Sequence, residues 1–215
     1  MNPVSPLFEK IDSSIEKKLD LIESSYVRYA VRAMLACLFL TLGTAIAFAV
    51  AMNGDKLVPG LGKFLFAFMF SWSLVMILYM NAELGTSNML YATVGVFRKK
   101  MTVAKALKLL FTCVFFNLVG GIIFAFFVSL TGPFQNLAPD NYMYAGIAAK
   151  LAKPTLQILA EAMFANIVVN TSVIVSLRMK DDAGKVPAII FIIFIFAFLG
   201  YEHVIANFPA FSLAF

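Results

Sequence analysis

Histidine occurs once in these 215 residues, at His203, directly after Glu202 and close to Gly200. An imidazole of ordinary pKa, about 6.5, exchanges a proton near neutral pH and attracts an anion when charged. A second polar island, Asn81-Ala82-Glu83-Leu84-Gly85-Thr86-Ser87-Asn88, also sets a carboxylate beside a glycine. Both islands interrupt stretches that are otherwise Phe, Leu, Ile, Met and Ala. Ionisable groups in such surroundings are costly and mark a functional site by default. The plain reading of Glu83 and Glu202 is structural, as carboxylates that accept hydrogen bonds from backbone N–H groups exposed where a half-helix begins. His203 and Glu202 could also be the acid and base of a membrane-embedded enzyme. Against that, no nucleophile stands beside the histidine, and the chain has no HExxH spacing and no nucleotide loop. No catalytic residue is therefore assigned. Cys37 and Cys113 lie in apolar stretches without metal-ligand spacing and read as packing, so neither a metal nor a cofactor is expected.

The elements that must hold these residues follow from composition. Hydrophobic residues make up 61% of the chain and charged residues 13%, with 23 phenylalanines. A soluble domain is about half apolar and about a quarter charged, so the expected solvent is a lipid bilayer. The net charge of +5 sits in short clusters between apolar spans, which speaks for membrane topology and against nucleic acid.

Residues 1–26 are polar, and Phe8, Ile11, Ile15, Leu19 and Ile22 recur at steps of three and four. This pattern predicts an amphipathic surface helix, with the transmembrane domain over residues 27–215. Val27–Met52 forms the first span, closed by a turn at Asn53-Gly54-Asp55. A second stretch, about 57–97, is too long for one span and is broken at the Asn81 island. A third runs over about 103–130 and carries Asn117 and Gly120-Gly121, small residues that permit close helix contact. A polar loop over 132–153 leads to a fourth span ending near Met179, and a fifth stretch from about Val186 is broken at Gly200-Tyr201-Glu202-His203. Arg98, Lys99, Lys100, Lys105 and Lys108 crowd one connection, and Arg178, Lys180 and Lys185 another. Positive loops face the cytoplasm, so the N-terminus is expected there too, in the cell membrane.

Irregular backbone is tolerated at membrane depth only where it is buried in protein or lines a wet cavity. Two breaks at matching places in two three-span halves point to a transport site between inverted repeats. The spacing alone carries this symmetry, since residue-by-residue repetition is not evident.

The two islands resemble motifs of the formate/nitrite transporter family. Its N-A-E-L-F-T-x-N loop is similar to Asn81–Asn88, and its G-F-E-H-x-x-A-N segment to Gly200–Asn207. The resemblance implies an all-α, aquaporin-like inverted-repeat bundle with broken second and fifth transmembrane helices, assembled as a homopentamer with one pore per subunit. It also implies that formate, or else nitrite or hydrosulfide, is the small anion that passes. His203 would be the central residue, beside Thr86, Glu202 and Asn207. Phe70, Leu74 and Phe196 would form an outer constriction, and Leu84, Gly85 and Val173 an inner one. Asn81, Glu83 and Asn170 would support the site, and Lys150 or Lys153 would attract anions. A weak acid would be protonated between the constrictions and cross neutral. Two departures stand out. Gly85 replaces the family's phenylalanine, and the family's sixth span is expected to be absent from this chain.

Overall fold

The computed structural model describes residues 5–215. Among them no strand occurs, and the chain is an all-helical membrane protein with five helices long and apolar enough to span a bilayer. Helix α1 (Pro6–Ser24) turns Ile11, Ile15 and Ile22 inward, the three- to four-residue spacing that made it legible. Its charged face clasps the connection that follows the second span and the start of the third span through Asp12–Arg98, Glu16–Lys100 and Glu23–Lys105 ion pairs.

The first span, α2 (Tyr26–Leu57), runs through the Asn53-Gly54-Asp55 triplet instead of turning there. Asn53 Nδ2 bonds back to the Ala49 carbonyl at 2.9 Å, and Gly54 leaves space that a Cβ would contest with Leu65 at 2.3 Å. The turn comes later, at Gly60, whose φ of 86° falls in the left-handed region where glycine carries no steric penalty. Asp55 Oδ1 accepts the Gly60 and Gly62 N–H groups and so caps the incoming segment. At 1.5 Å per residue, α2 is about 48 Å long and projects beyond a core of about 30 Å.

The second span descends as α3 (Leu61–Phe70) and α4 (Trp72–Tyr79), unwinds, and resumes as α5 (Gly85–Phe97). The third, α6 (Val103–Ser129), presses Gly120 onto the Met34 backbone of α2. The polar connection after it contains a short helix, α7 (Tyr142–Leu151), begun by Asn141, whose Oδ1 accepts the Met143 and Tyr144 N–H groups. The fourth span is α8 (Thr155–Arg178). The fifth is α9 (Asp182–Leu199), then a break, then α10 (Val204–Ala214), and Gly121 of α6 admits the α10 backbone at Phe208.

Packing repeats between the halves. The first span packs on α3 as the fourth packs on α9; α5 crosses to the fourth span as α10 crosses to the first. This exchange is what an inverted repeat requires, and it brings the two breaks face to face.

Candidate functional site

Unwinding at residues 80–84 frees peptide groups that lipid could not satisfy. Asn81 takes a left-handed φ of 51°, which asparagine tolerates better than most residues. The neighbouring helices meet the freed groups. The Arg32 carbonyl accepts the Glu83 N–H at 2.9 Å, and Arg32 Nε donates to the Asn81 carbonyl at 2.7 Å. Asn117 Nδ2 donates to the Glu83 and Ala33 carbonyls, at 2.9 and 2.7 Å, while its Oδ1 accepts the Gly85 N–H at 2.9 Å. A Cβ on Gly85 would meet Val114, Asn117 Oδ1 and Ile205 at 3.0–3.2 Å. This position therefore faces α6 and α10.

The second break opens at Gly200, with a φ of 76°. His203 is the N-cap of α10, and its Nδ1 accepts the Ala206 N–H at 3.0 Å. That bond fixes the tautomer: the ring proton is on Nε2, which donates to Thr86 Oγ1 at 2.6 Å. The two breaks are thus joined by one hydrogen bond between buried side chains, and the Thr86 hydroxyl proton is left for another acceptor.

The carboxylates do not cap backbone, contrary to the expectation from sequence. Glu83 Oε2 accepts from Lys18 Nζ at 2.6 Å and Asn88 Nδ2 at 3.0 Å. Glu202 accepts from Lys150 at 3.0 and 3.1 Å, from Lys153 at 2.8 Å and from Asn207 Nδ2 at 2.7 Å. The imidazole caps the α10 start instead, and Asn117 Oδ1 meets the Gly85 N–H at the α5 start. Each carboxylate has an asparagine five residues on and a lysine from a flanking helix, so the halves repeat in residues as well as in packing. Lys18 and Asn88 escaped the sequence reading, although the shared Glu-to-Asn spacing could have revealed Asn88.

Lys153 also donates to the Gly200 carbonyl at 2.7 Å and to Glu161 at 2.6 Å. Partial burial disfavours its ammonium, but the bonds to Glu161 and Glu202 outweigh this and raise its pKa above the ordinary lysine value. Among the described residues Lys150 has only Glu202 as partner, and it has the more exposed side chain, 26% against 17%.

Three cavities lie in series. One of about 340 Å³ opens beneath α7 and is lined in part by Lys150, Lys153, Phe70, Phe196 and His203. A neck of about 20 Å³, room for one water-sized group, shares Phe70, Phe196 and His203 with it and adds Leu74, Ile77, Leu84 and Val169. A third, about 150 Å³, lies under α1, shares Ile77 with the neck, and is lined by Lys17, Lys18, Arg32, Asn81 and Glu83. Phe70 and Phe196 meet edge to face at 5.9 Å between ring centres. Val173 lies in the cluster beneath α1 with Ile11, Ile15 and Tyr91, and neither it nor Gly85 lines the neck. Asn170 donates to Asn166 at 3.3 Å, and its Oδ1 has no partner among the described residues. Among those residues, no three His, Cys, Asp or Glu side chains gather as a metal site would require.

The family model for "Formate/nitrite transporter" matches residues 5–215. The chain belongs to the formate/nitrite transporter family. It is 27% identical over 209 residues to the uncharacterized transporter YwcJ of Bacillus subtilis, covering 96% of this chain and 80% of that one. It is 34% identical over 158 residues to a formate-nitrite transporter of Plasmodium falciparum, covering 70% of this chain and 51% of the relative, so it spans about half of that protein. Its fold matches an FNT family ion channel with a TM-score of 0.88 at 22% identity, covering 96% and 82% of the two chains. It also matches a pentameric formate channel with formate bound, with a TM-score of 0.74 at 23% identity, covering 90% and 76%. Within this transporter family, then, the chain sets a histidine, hydrogen-bonded to Thr86, and two carboxylate–lysine clusters along a line of cavities.

Proposed function

We propose that the chain forms a pore for a small monovalent anion, formate ahead of nitrite or hydrosulfide, that crosses in protonation-linked form. The observation that carries this is the Thr86–His203 bond joining two unwound helices at an apolar neck. Desolvating a carboxylate into a medium of low dielectric has an idealised cost on the order of 20 kcal/mol. Protonating a carboxylic acid of pKa about 4 at pH 7 costs about 4 kcal/mol. The neutral acid is the cheaper passenger. His203 cannot be the proton source from its neutral tautomer, since giving up Nε2–H would leave an imidazolate; the proton comes from water in the vestibules. The imidazole aids passage by lining both the vestibule and the neck while adding no charge there.

The α7 mouth is the outer one and the α1 mouth cytoplasmic. In support, α1 is paired to Arg98 and Lys100 in the connection richest in positive charge, and to Lys105 in the first turn of α6. Residues 1–26 then act as a cytoplasmic element beside a channel domain over 27–215, in the cell membrane. The pentameric formate channel of similar fold supports a homopentamer, with apolar side chains such as Phe111, Phe115 and Phe126 meeting lipid or neighbouring subunits.

Uptake of labelled formate into vesicles tests the reading. The protein-dependent rate is expected to rise about tenfold per unit fall in pH while neutral acid is limiting, since one pKa unit is a factor of ten. His203→Ala, which removes the α10 cap and frees the Thr86 oxygen, is expected to slow uptake at every pH. Vesicles carrying the protein that take up formate no faster than empty ones would sink the proposal.

A further inference from the structure

Hydroxyls in apolar helices normally satisfy themselves by donating to the carbonyl four residues back. Thr41 does so to Cys37 at 2.6 Å, and Ser71 to Ala67 at 2.6 Å. Each has a near neighbour that does not. Thr44 Oγ1, in the same helix as Thr41, and Ser73 Oγ, two residues past Ser71, have no hydrogen-bond partner among the described residues, though the two residues are 1% and 0% exposed. A buried hydroxyl left unpaired is costly, so such groups are few in native proteins and each needs a reason.

Position supplies the reason. Thr44 lines the vestibule of about 340 Å³ and Ser73 lines the neck, and both cavities are bounded by Phe70, Phe196 and His203. One free hydroxyl therefore stands on each side of the phenylalanine pair. Gly43 makes the placement possible, because a Cβ there would lie 1.8 Å from Ser73 Oγ. The helix crossing thus admits a hydroxyl and provides no acceptor for it.

We propose that Thr44 and Ser73 are hydrogen-bonding stations for the carboxyl group of the solute, one before and one after the Phe70/Phe196 constriction, in the two cavities that His203 also lines. The proposal rests on the pore reading above and adds two residues that set which solutes pass. A solute leaving the vestibule loses water ligands; an O–H on either side of the aromatic pair replaces one at each step, so that no position in the passage leaves the carboxyl group bare.

The test uses Thr44→Val and Ser73→Ala in the full chain, reconstituted in vesicles, with labelled formate as the probe. Thr44→Val keeps the side-chain volume and Ser73→Ala removes one atom, so thermal unfolding of the detergent-solubilised protein should be unchanged or raised. Formate flux should fall about three- to tenfold in each, the worth of one net hydrogen bond. Thr41→Val and Ser71→Ala, whose hydroxyls are already satisfied within their helices, should transport like wild type. Wild-type flux in Thr44→Val and Ser73→Ala, or an equal loss in the two controls, overturns this inference and leaves the pore reading standing. Wild-type vesicles no faster than empty ones overturn both.

Discussion

Replacing Glu202 and Lys150 separately by glutamine should move the apparent affinity for the anion in opposite directions. At the α7 mouth Lys150, Lys153, Glu161 and Glu202 form one linked cluster whose formal charges cancel. Glu202→Gln leaves it at +1 and Lys150→Gln at −1. Lys150 suits the experiment because Glu202 is its one hydrogen-bond partner among the described residues, whereas Lys153 also holds the Gly200 carbonyl and its loss would disturb the break itself. For an anion about 6 Å from the uncompensated charge, Coulomb's law gives about 0.7 kcal/mol at a dielectric of 80 and about 2.8 kcal/mol at 20. The half-saturating formate concentration should then fall roughly 3- to 100-fold in Glu202→Gln and rise by a similar factor in Lys150→Gln. The assay is initial uptake into vesicles at low ionic strength, repeated near 1 M salt, where a Debye length of about 3 Å should erase most of both shifts. Two shifts of the same sign, or shifts that survive high salt, would refute the idea that net charge at this mouth governs entry.

Two further outcomes follow from the fold. Gly85→Phe should lower the thermal midpoint of the purified protein, because its Cβ alone meets three atoms at 3.0–3.2 Å; overpacking of this kind costs about 1–3 kcal/mol. An unchanged midpoint would mean that α5, α6 and α10 adjust freely. The Arg98 guanidinium, bonded to Asp12 at 2.7 and 2.8 Å, holds that carboxyl below the ordinary carboxylate range, so the pair stabilises docking of α1 above the unfolded pKa and loses this as pH falls through the lower folded value. Limited proteolysis should find α1 protected at neutral pH and cleaved faster in strong acid, and Asp12→Asn should expose it already at neutral pH.

Much of the architecture could be read from the chain because a bilayer imposes coarse and visible demands. Apolar stretches long enough to span, and polar islands where they should not be, placed the spans and both breaks near where they lie. The Asn53-Gly54-Asp55 triplet misled because its turn chemistry was weighed without its context: Asn53 bonds back into the helix, and the glycine serves a close contact with Leu65. The short helix α7 hid in a polar loop because its opening signal, Asn141, is equally at home in a turn.

Within the site, residue types were legible and partnerships were not. Glu83 and Asn88 are five residues apart, as are Glu202 and Asn207, and both pairs close by a side-chain hydrogen bond of 2.7–3.0 Å. A five-residue step matches neither helix nor strand periodicity, so a search for regular faces passes over it; only the unwound turn brings such residues together. The lysines lie further still from any sequence signal. Lys18 comes from the amphipathic N-terminal helix, 65 residues from Glu83, and Lys150 from α7, 52 residues from Glu202. The repeat in the cluster, Glu, Asn and a lysine from a flanking helix, appears once at each end of the line of cavities. A carboxylate–lysine ion pair pins each break, and the neck between them, lined by Phe, Leu, Ile, Val169, Ser73 and a neutral imidazole, carries no charged side chain. The same physics explains why the lone histidine is at the middle: held neutral between a backbone N–H and a threonine, it adds no charge where charge would be most expensive.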